Sequence, residues 1–325
     1  MVLISWRRLA IIMICLAQGA ALAADKIRIA TQKTGTFAWE IDVIRARGLD
    51  RQAGLDLVVT ELASPEAGKI ALKGGSADLI VADVMWVARE RAIGGSLLYH
   101  PFTSTLGAIM VPSGSKIASV GDLKGRKLGV AGGSLDKSWL LFQAWARKRG
   151  FDPKKEAQVN FGAPPLLAAK TEQGELEAVL NYWNICAELE GKGFRRAIEM
   201  SLVEHELGAK GPVAMVGYAF EQAFAAGNGS ALKRYFEIAA KAKEILAAEG
   251  AEWKRISART GVVDPATLDI LRKRFTEGIP RRSLDDEEAD ARALYAVLVE
   301  VGGAEFAGPA RELDKSVYWR PRAGD

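Results

Sequence analysis

Cysteine is nearly absent, with Cys15 and Cys186 the only two in 325 residues. A disulfide framework is therefore excluded as the basis of the fold, and a chain of about 300 residues needs none, since it buries roughly three quarters of its unfolded surface. Histidine is as sparse: His100 and His205 lie far apart and outside any metal-ligand spacing. The chain has no G-x-x-x-x-G-K-[ST] phosphate loop, no G-x-S-x-G elbow, no H-E-x-x-H and no paired Cys-His pattern. Ser134 in Gly-Gly-Ser-Leu-Asp lacks the glycine that an elbow places two residues on. No catalytic residue and no cofactor is expected. Neither sign of charge dominates, with 44 basic and 40 acidic residues, and no basic block marks a nucleic-acid surface. After the first two dozen residues no apolar run reaches the roughly 20 residues that span a bilayer, so a soluble mature protein is expected.

Those first residues read as an address. Arg7 and Arg8 form a positive start, residues 9–16 an apolar centre, and Ala21-Leu22-Ala23 a small-x-small cleavage site. Cleavage is expected after Ala23, giving residues 1–23 as a signal peptide and a periplasmic location. A retained anchor is the alternative, but the apolar stretch is short and Gln18 interrupts it. Lipidation of Cys15 is disfavoured by Ile14, where a small residue would be needed. Losing Arg7 and Arg8 leaves 42 basic and 40 acidic residues, a net charge of +2.

The rest of the chain alternates short apolar runs with amphipathic stretches, the pattern of α/β units on largely parallel strands. Strands are predicted at residues 26–30, 55–61, 79–82, 127–131, 158–161 and 178–181. The runs 106–112 (LGAIMVP) and 213–218 (VAMVGY) lack helical partners and read as two crossover strands. They divide the chain into a first lobe, 24–110 plus 212–325, and an inserted second lobe, 111–211. In the return segment Ser230 is read as the cap of a helix ending before Gly250, Asp264-Pro265 as opening a helix that stops at Gly278, and 285–301 as a last helix. Leu232, Tyr235, Phe236, Ala239, Ala242 and Leu246 fall on one face, which is expected to pack on the first lobe.

In open α/β sheets ligands bind beyond the carboxyl ends of the strands, where loops lead into helix N-termini. In the first lobe those loops carry Thr34, Gly35, Thr36, Phe37 and Trp39, then Ser64 before Pro65, then Asp83 and Trp86. In the second they carry Ser134, Lys137 and Trp139, then Pro165, then Asn181, Tyr182 and Trp183. All fifteen of these, from Thr34 to Trp183 and leaving out Pro65, are candidate ligand-binding residues.

The segments KIRIATQ, ELASPEAGKIALKGGSADLIVAD, SVGDLKGRKLGVAGGS and APPLLAAKTEQGELEAVL occur in that order over residues 26–180. The chain in this respect resembles the ABC-transporter solute-binding proteins of the nitrate/sulfonate/taurine and thiamine-precursor type, over roughly residues 26–250. GGSADL matches that family's turn before the third strand, and DLKGRKLGV its entry to the second lobe. The resemblance implies an α/β, periplasmic-binding-protein type II fold (venus flytrap), two α/β lobes joined by two crossover strands. It also implies a monomer that hands a small-molecule solute to an inner-membrane permease with a cytoplasmic ATPase.

Trp39, Trp86, Trp139 and Trp183 each follow a predicted strand end closely. The functional reading stacks at least two of them on a planar or apolar solute; the plain one packs them in the core. Lys137 reads as neutralising an anionic head group, or as a solvated surface lysine. Asp83 reads as a hydrogen-bond acceptor for the solute, or as a helix cap. Glu40, Asp42, Asp83 and Asp136 leave a metal or metal-chelate capture protein as an alternative, although Glu40 and Asp42 point apart on a helix. A second alternative is an enzyme of thiamine-precursor synthesis on this fold. Cys186 is expected to be a buried small hydrophobe.

Overall fold

The computed structural model describes residues 24–33 and 35–324. The leader, its cleavage site, Cys15 and Thr34 lie outside the described residues.

Two five-strand sheets carry the architecture. The first is made of β1 (Asp25–Gln32), β2 (Leu55–Leu62), β3 (Ile80–Asp83), β4 (Leu97–Thr103) and the late strand β10 (Val216–Glu221). Parallel β1 and β2 pair with Ile29 opposite Val59, and the parallel bridge from Ile29 to Leu79 attaches β3 to β1. Antiparallel β10 lies between β3 and β4, so the order is β2-β1-β3-β10-β4. The second sheet uses β5 (Ala108–Val111), β6 (Lys127–Ala131), β7 (Gln158–Gly162), β8 (Ala178–Asn181) and β9 (Arg195–Glu199). Its order, β7-β6-β8-β5-β9, repeats that of the first, with β5 as the antiparallel strand. This is the periplasmic-binding-protein fold expected from the sequence.

Six of the ten strands lie where the apolar runs put them, within two residues at either end. The two runs read as crossover strands are strands of the sheets, β5 in the second and β10 in the first, each entered just after the chain passes from one sheet to the other. Ala108–Val111 is fully buried and bonded on both edges, so the run is apolar because it is a central strand. The chain passes between the sheets through residues 104–107 and 210–215.

Helices cover the faces. Around the first sheet run α1 (Thr36–Ala46), α2 (Leu49–Gln52), α3 (Pro65–Lys73) and α4 (Val84–Ala92). Around the second run α5 (Lys137–Lys148), α6 (Pro153–Glu156), α7 (Pro164–Glu172), α8 (Trp183–Gly191) and α9 (Met200–Glu206). The return segment adds α10 (Gln222–Gly227), α11 (Gly229–Ala248), α12 (Gly250–Thr260), α13 (Pro265–Glu277) and α14 (Leu284–Ala307). The apolar face read on α11 is buried as a whole among the β1 and β2 side chains and α1. Ser230 is not its cap: the helix begins at Gly229 after Asn228, and Gly250 opens α12 instead of ending α11. Asp264 does cap α13, accepting from Thr267 N at 2.8 Å. The last helix runs beyond 301 to Ala307, interrupted by a non-helical Gly303.

The return segment does not stay on the first sheet. Thr267 of α13 packs against Gly191 of α8, where an added Cβ would fall 2.2 Å from its hydroxyl oxygen. Gly302 of α14 similarly admits Leu140 of α5. One apolar cluster therefore runs from Ile80 and Tyr99, through Leu294 and Leu298, to Val130 and Trp139.

Candidate functional site

The carboxyl ends of the parallel strands in both sheets lead into helix starts, and these starts form the candidate site. On the first lobe two of them are closed by their own side chains. Ser64 Oγ accepts from Ala67 N at 3.2 Å, and Asp83 Oδ1 accepts from Trp86 N at 3.1 Å. Asp83 thus takes the cap role. Gly35 precedes α1 without a side-chain cap, and Gly35 and Thr36 are half-buried.

On the second lobe the loop Gly132–Asp136 builds a tighter group. Asp136 Oδ1 accepts from Ser138 N at 2.9 Å and Trp139 N at 3.4 Å, while its Oδ2 accepts the Tyr182 hydroxyl at 3.2 Å. Gly132 sits at φ 87°, and a Cβ there would lie 2.4 Å from Tyr182 Oη and 2.7 Å from Asp136 Oδ2. Only glycine tolerates both that backbone and that approach. Lys137 Nζ lies 6.0 Å from the centre of the Tyr182 ring and forms no ion pair with a carboxylate among the described residues. Burial raises the Tyr182 hydroxyl pKa well above its ordinary value, and the charge of Asp136, then those of Asp83 and Glu66 across from the first lobe, raise it further. Tyr182 therefore donates a proton in hydrogen bonding and does not ionise near neutral pH. The helices α7 and α8 start at Ala163 and Tyr182 with no side-chain cap.

The aromatic candidates lie elsewhere. Trp39, Trp86, Trp139 and Trp183 are 2 %, 7 %, 0 % and 6 % exposed. Trp39 Nε1 donates to Arg259 O at 3.3 Å, and its ring meets Trp253 at 5.7 Å and Trp183 at 6.0 Å, edge to face. Trp183 is covered on another side by Phe275 at 6.2 Å. Trp139 is stacked on Phe142 and met by Phe161, and Trp86 is roofed by Lys69 Nζ at 5.6 Å. Phe37 is buried against Phe102 and Tyr218. An indole in the first turns of a helix that follows a strand directly lies over the end of the sheet, so it closes the core there instead of opening onto solvent. Asn181 is also engaged locally, donating to Pro164 O at 2.9 Å and accepting from Tyr182 N at 2.8 Å. Of the remaining candidates Ser134 and Pro165 are exposed, and Ser64, Asp83, Lys137 and Tyr182 half-buried.

Gly132 and Glu66 were not among the candidates, and Asp136 was weighed only as a metal ligand. Asp136 carried a readable signal, an acidic residue at the N-cap of a helix after a glycine loop, but its bond to Tyr182 joins residues 46 apart and has no local trace.

The four carboxylates weighed for a cation are occupied otherwise. Glu40 is buried, accepts from Tyr218 Oη at 2.7 and 2.8 Å and pairs with Lys243 at 3.0 Å. Asp42 pairs with Arg255 and Arg259, and Asp83 and Asp136 cap helices. Among the described residues no three such side chains are grouped as a metal would require. Cys186 is buried, and burial pushes its thiol up to about 12, away from the nucleophilic thiolate.

A family model described as "NMT1/THI5 like" matches residues 43–249. No curated protein matches the sequence. The fold is similar to the periplasmic aliphatic sulphonate binding protein SsuA from Escherichia coli, at 17 % identity, with 93 % of this chain and 94 % of that chain covered and a TM-score of 0.72. It is similar to the alkanesulfonate-binding protein SsuA from Xanthomonas axonopodis pv. citri bound to MOPS, at 19 % identity, 88 % and 97 % coverage and a TM-score of 0.63. It is also similar to the desulfurization enzyme DSZB, at 16 % identity, 90 % and 99 % coverage and a TM-score of 0.57. At these identities the likeness is one of fold, shared by binding proteins and an enzyme.

Proposed function

The chain belongs to the NMT1/THI5-like family, and from that premise we propose that it is the extracytoplasmic solute-binding component of an ABC importer. It captures a small anionic organic solute between its two lobes in the periplasm, as a monomer, and delivers it to an inner-membrane permease driven by a cytoplasmic ATPase. The observation that carries the anionic class is Lys137, whose ammonium lies beside Tyr182, forms no ion pair among the described residues although its charge reaches the buried Glu204, and stands next to the uncapped start of α8. Free backbone N–H groups and a positive dipole end attract the oxygens of a sulfonate or carboxylate, and an unpaired ammonium adds to both. Tyr182 and Asp136, already bonded to each other, fix the polar wall against which the head group is placed. The sulfonate ligands named for two proteins of similar fold belong to the same chemical class.

The metal-capture alternative draws no support from carboxylates that are already capping helices or paired with arginines. The Cys186 thiol, buried and held protonated, offers the enzyme alternative no nucleophile.

Native mass spectrometry of protein exported with its own leader tests the reading. A discrete organic mass that leaves on denaturation, or tryptophan-fluorescence saturation by alkyl or aryl sulfonates and carboxylates, is the expected result. A retained metal, or turnover of those compounds, overturns it.

A further inference from the structure

We propose that residues 278–290 form a clamp on both passages between the lobes and so set the angle at which the lobes stand. The inference concerns the empty protein and holds whatever solute the cleft takes.

The first passage, residues 104–107, is tied at its start to one carbonyl of this stretch and at its end to the second lobe, where Gly107 O accepts from Met200 N at 3.1 Å. Gly278 O, just beyond α13, accepts from Ser104 N at 2.9 Å, Ser104 Oγ at 3.2 Å and Thr103 Oγ1 at 3.3 Å. A Cβ on residue 278 would fall 2.7 Å from Thr105 Cγ2 and 2.8 Å from Thr103 Oγ1, so the approach requires glycine.

The second passage, residues 210–215, is tied to two buried carboxylates of α14. Asp290 Oδ2 accepts from Lys210 N at 2.7 Å and Gly211 N at 3.2 Å, and pairs with Arg282 at 2.8 Å. Glu287 Oε1 accepts from Ala214 N at 2.5 Å, while Ala214 O accepts the Tyr99 hydroxyl of β4 at 2.6 Å. Arg282 also reaches Pro212 O at 3.3 Å. Charge-assisted bonds from buried acids to backbone N–H groups are strong, and breaking one leaves a buried donor unpaired.

Both passages are thus held by one continuous stretch of chain, and that stretch is anchored to each lobe. Beyond the clamp α14 packs on α5, and Arg89 of α4 donates to Phe306 O at 3.0 Å. Before it, Arg274 of α13 donates from Nε to Glu190 of α8 at 2.9 Å. A pair of bare linkers would let the lobes swing within the freedom of their own dihedrals. Here any swing must either carry the clamp with one lobe or break its bonds to the other.

The test is the distribution of interlobe distances in the solute-free protein, read by pulsed electron resonance between spin labels on Cys introduced at Lys73 and Lys155, with Cys186 buried and unlabelled. The unmodified clamp should give one narrow distribution. Glu287→Ala and Asp290→Asn should widen or shift it. Glu40→Gln, which weakens a buried pair away from both passages, should lower thermal stability and leave the distribution unchanged. Should Glu287→Ala fail to fold, Arg282→Met, which loosens Asp290 without uncovering it, should still broaden the distribution. Unchanged distributions in the folded clamp variants, or equal broadening by Glu40→Gln, would overturn the proposal.

Discussion

The two sheets share one strand order, yet the helices that begin at their facing ends are finished differently. On the first lobe Ser64 and Asp83 close α3 and α4 with their own side chains. On the second, α8 begins without a side-chain cap, and the cap of α5 is shared between backbone N–H groups and the Tyr182 hydroxyl. A satisfied helix start has little to offer a solute, whereas an open one beside an unpaired ammonium has donors to spare. The contrast is one of capping: α3 and α4 satisfy their own starts, whereas α8, like α1 on the first lobe, begins with backbone donors that no side chain caps.

That contrast can be broken or sharpened by four measurements. The largest effect is expected from Trp139→Ala, because the indole is fully buried in the second lobe: stability should fall by about 3–5 kcal/mol, read by urea unfolding. Solute affinity measured where the variant is folded should change little; strong loss of affinity at full stability would return Trp139 to the site. Next, Gly132→Ala forces a Cβ into the Tyr182–Asp136 pair at a left-handed φ. It should cost about 1–3 kcal/mol of stability and lower affinity as well, because the polar wall is displaced. Lys137→Met should weaken binding of an anionic solute about tenfold, or roughly 1.4 kcal/mol, with thermal stability unchanged. Lys69→Met, on the first lobe, should leave affinity close to that of the parent. Equal losses from the two lysines would erase the distinction between the lobes.

The smallest effect expected is a pH dependence of stability. Burial raises the Glu287 carboxyl from 4.5 to about 7, above its unfolded value, against the opposing bond from Ala214 N and the charge of Arg282. Asp290 pushes it up, and Glu204 of α9, Tyr99 of β4 and Tyr318 lie within its field. A raised acid contributes stability that is fully present below 4.5 and is lost as pH rises through about 7. The melting temperature should therefore decline over that window, and Glu287→Gln should flatten the decline. A slope unchanged by the substitution would assign it to other groups.

Much of this architecture was legible in the chain. Six strands, the Asp264-Pro265 helix start, the buried face of α11 and the cap role of Asp83 all follow from patterns a few residues long. The strands β4 and β9 escaped notice because LLYHPFT carries a proline and three of the five residues of RRAIE are charged; pairing with β10 and β5 makes them strands. Of the candidates that the strand ends suggested, Lys137 and Tyr182 are half-buried at helix starts, while the four tryptophans that share those loops are buried in the core.

The sequence by itself determined the α/β alternation, the position of most strands and helix caps, and the loops that gather at the strand ends, because periodicity and capping act within a turn or two of the backbone. Only the tertiary structure decided which side chains in those loops are buried and which partners they take. Trp39 is closed in by a carbonyl 220 residues away, the Tyr182 hydroxyl is taken by an aspartate 46 residues before it, and the second passage between the lobes is held by a glutamate 73 residues farther on. Burial depends on what distant chain is laid over a residue, and nothing in the residue's own neighbourhood records it.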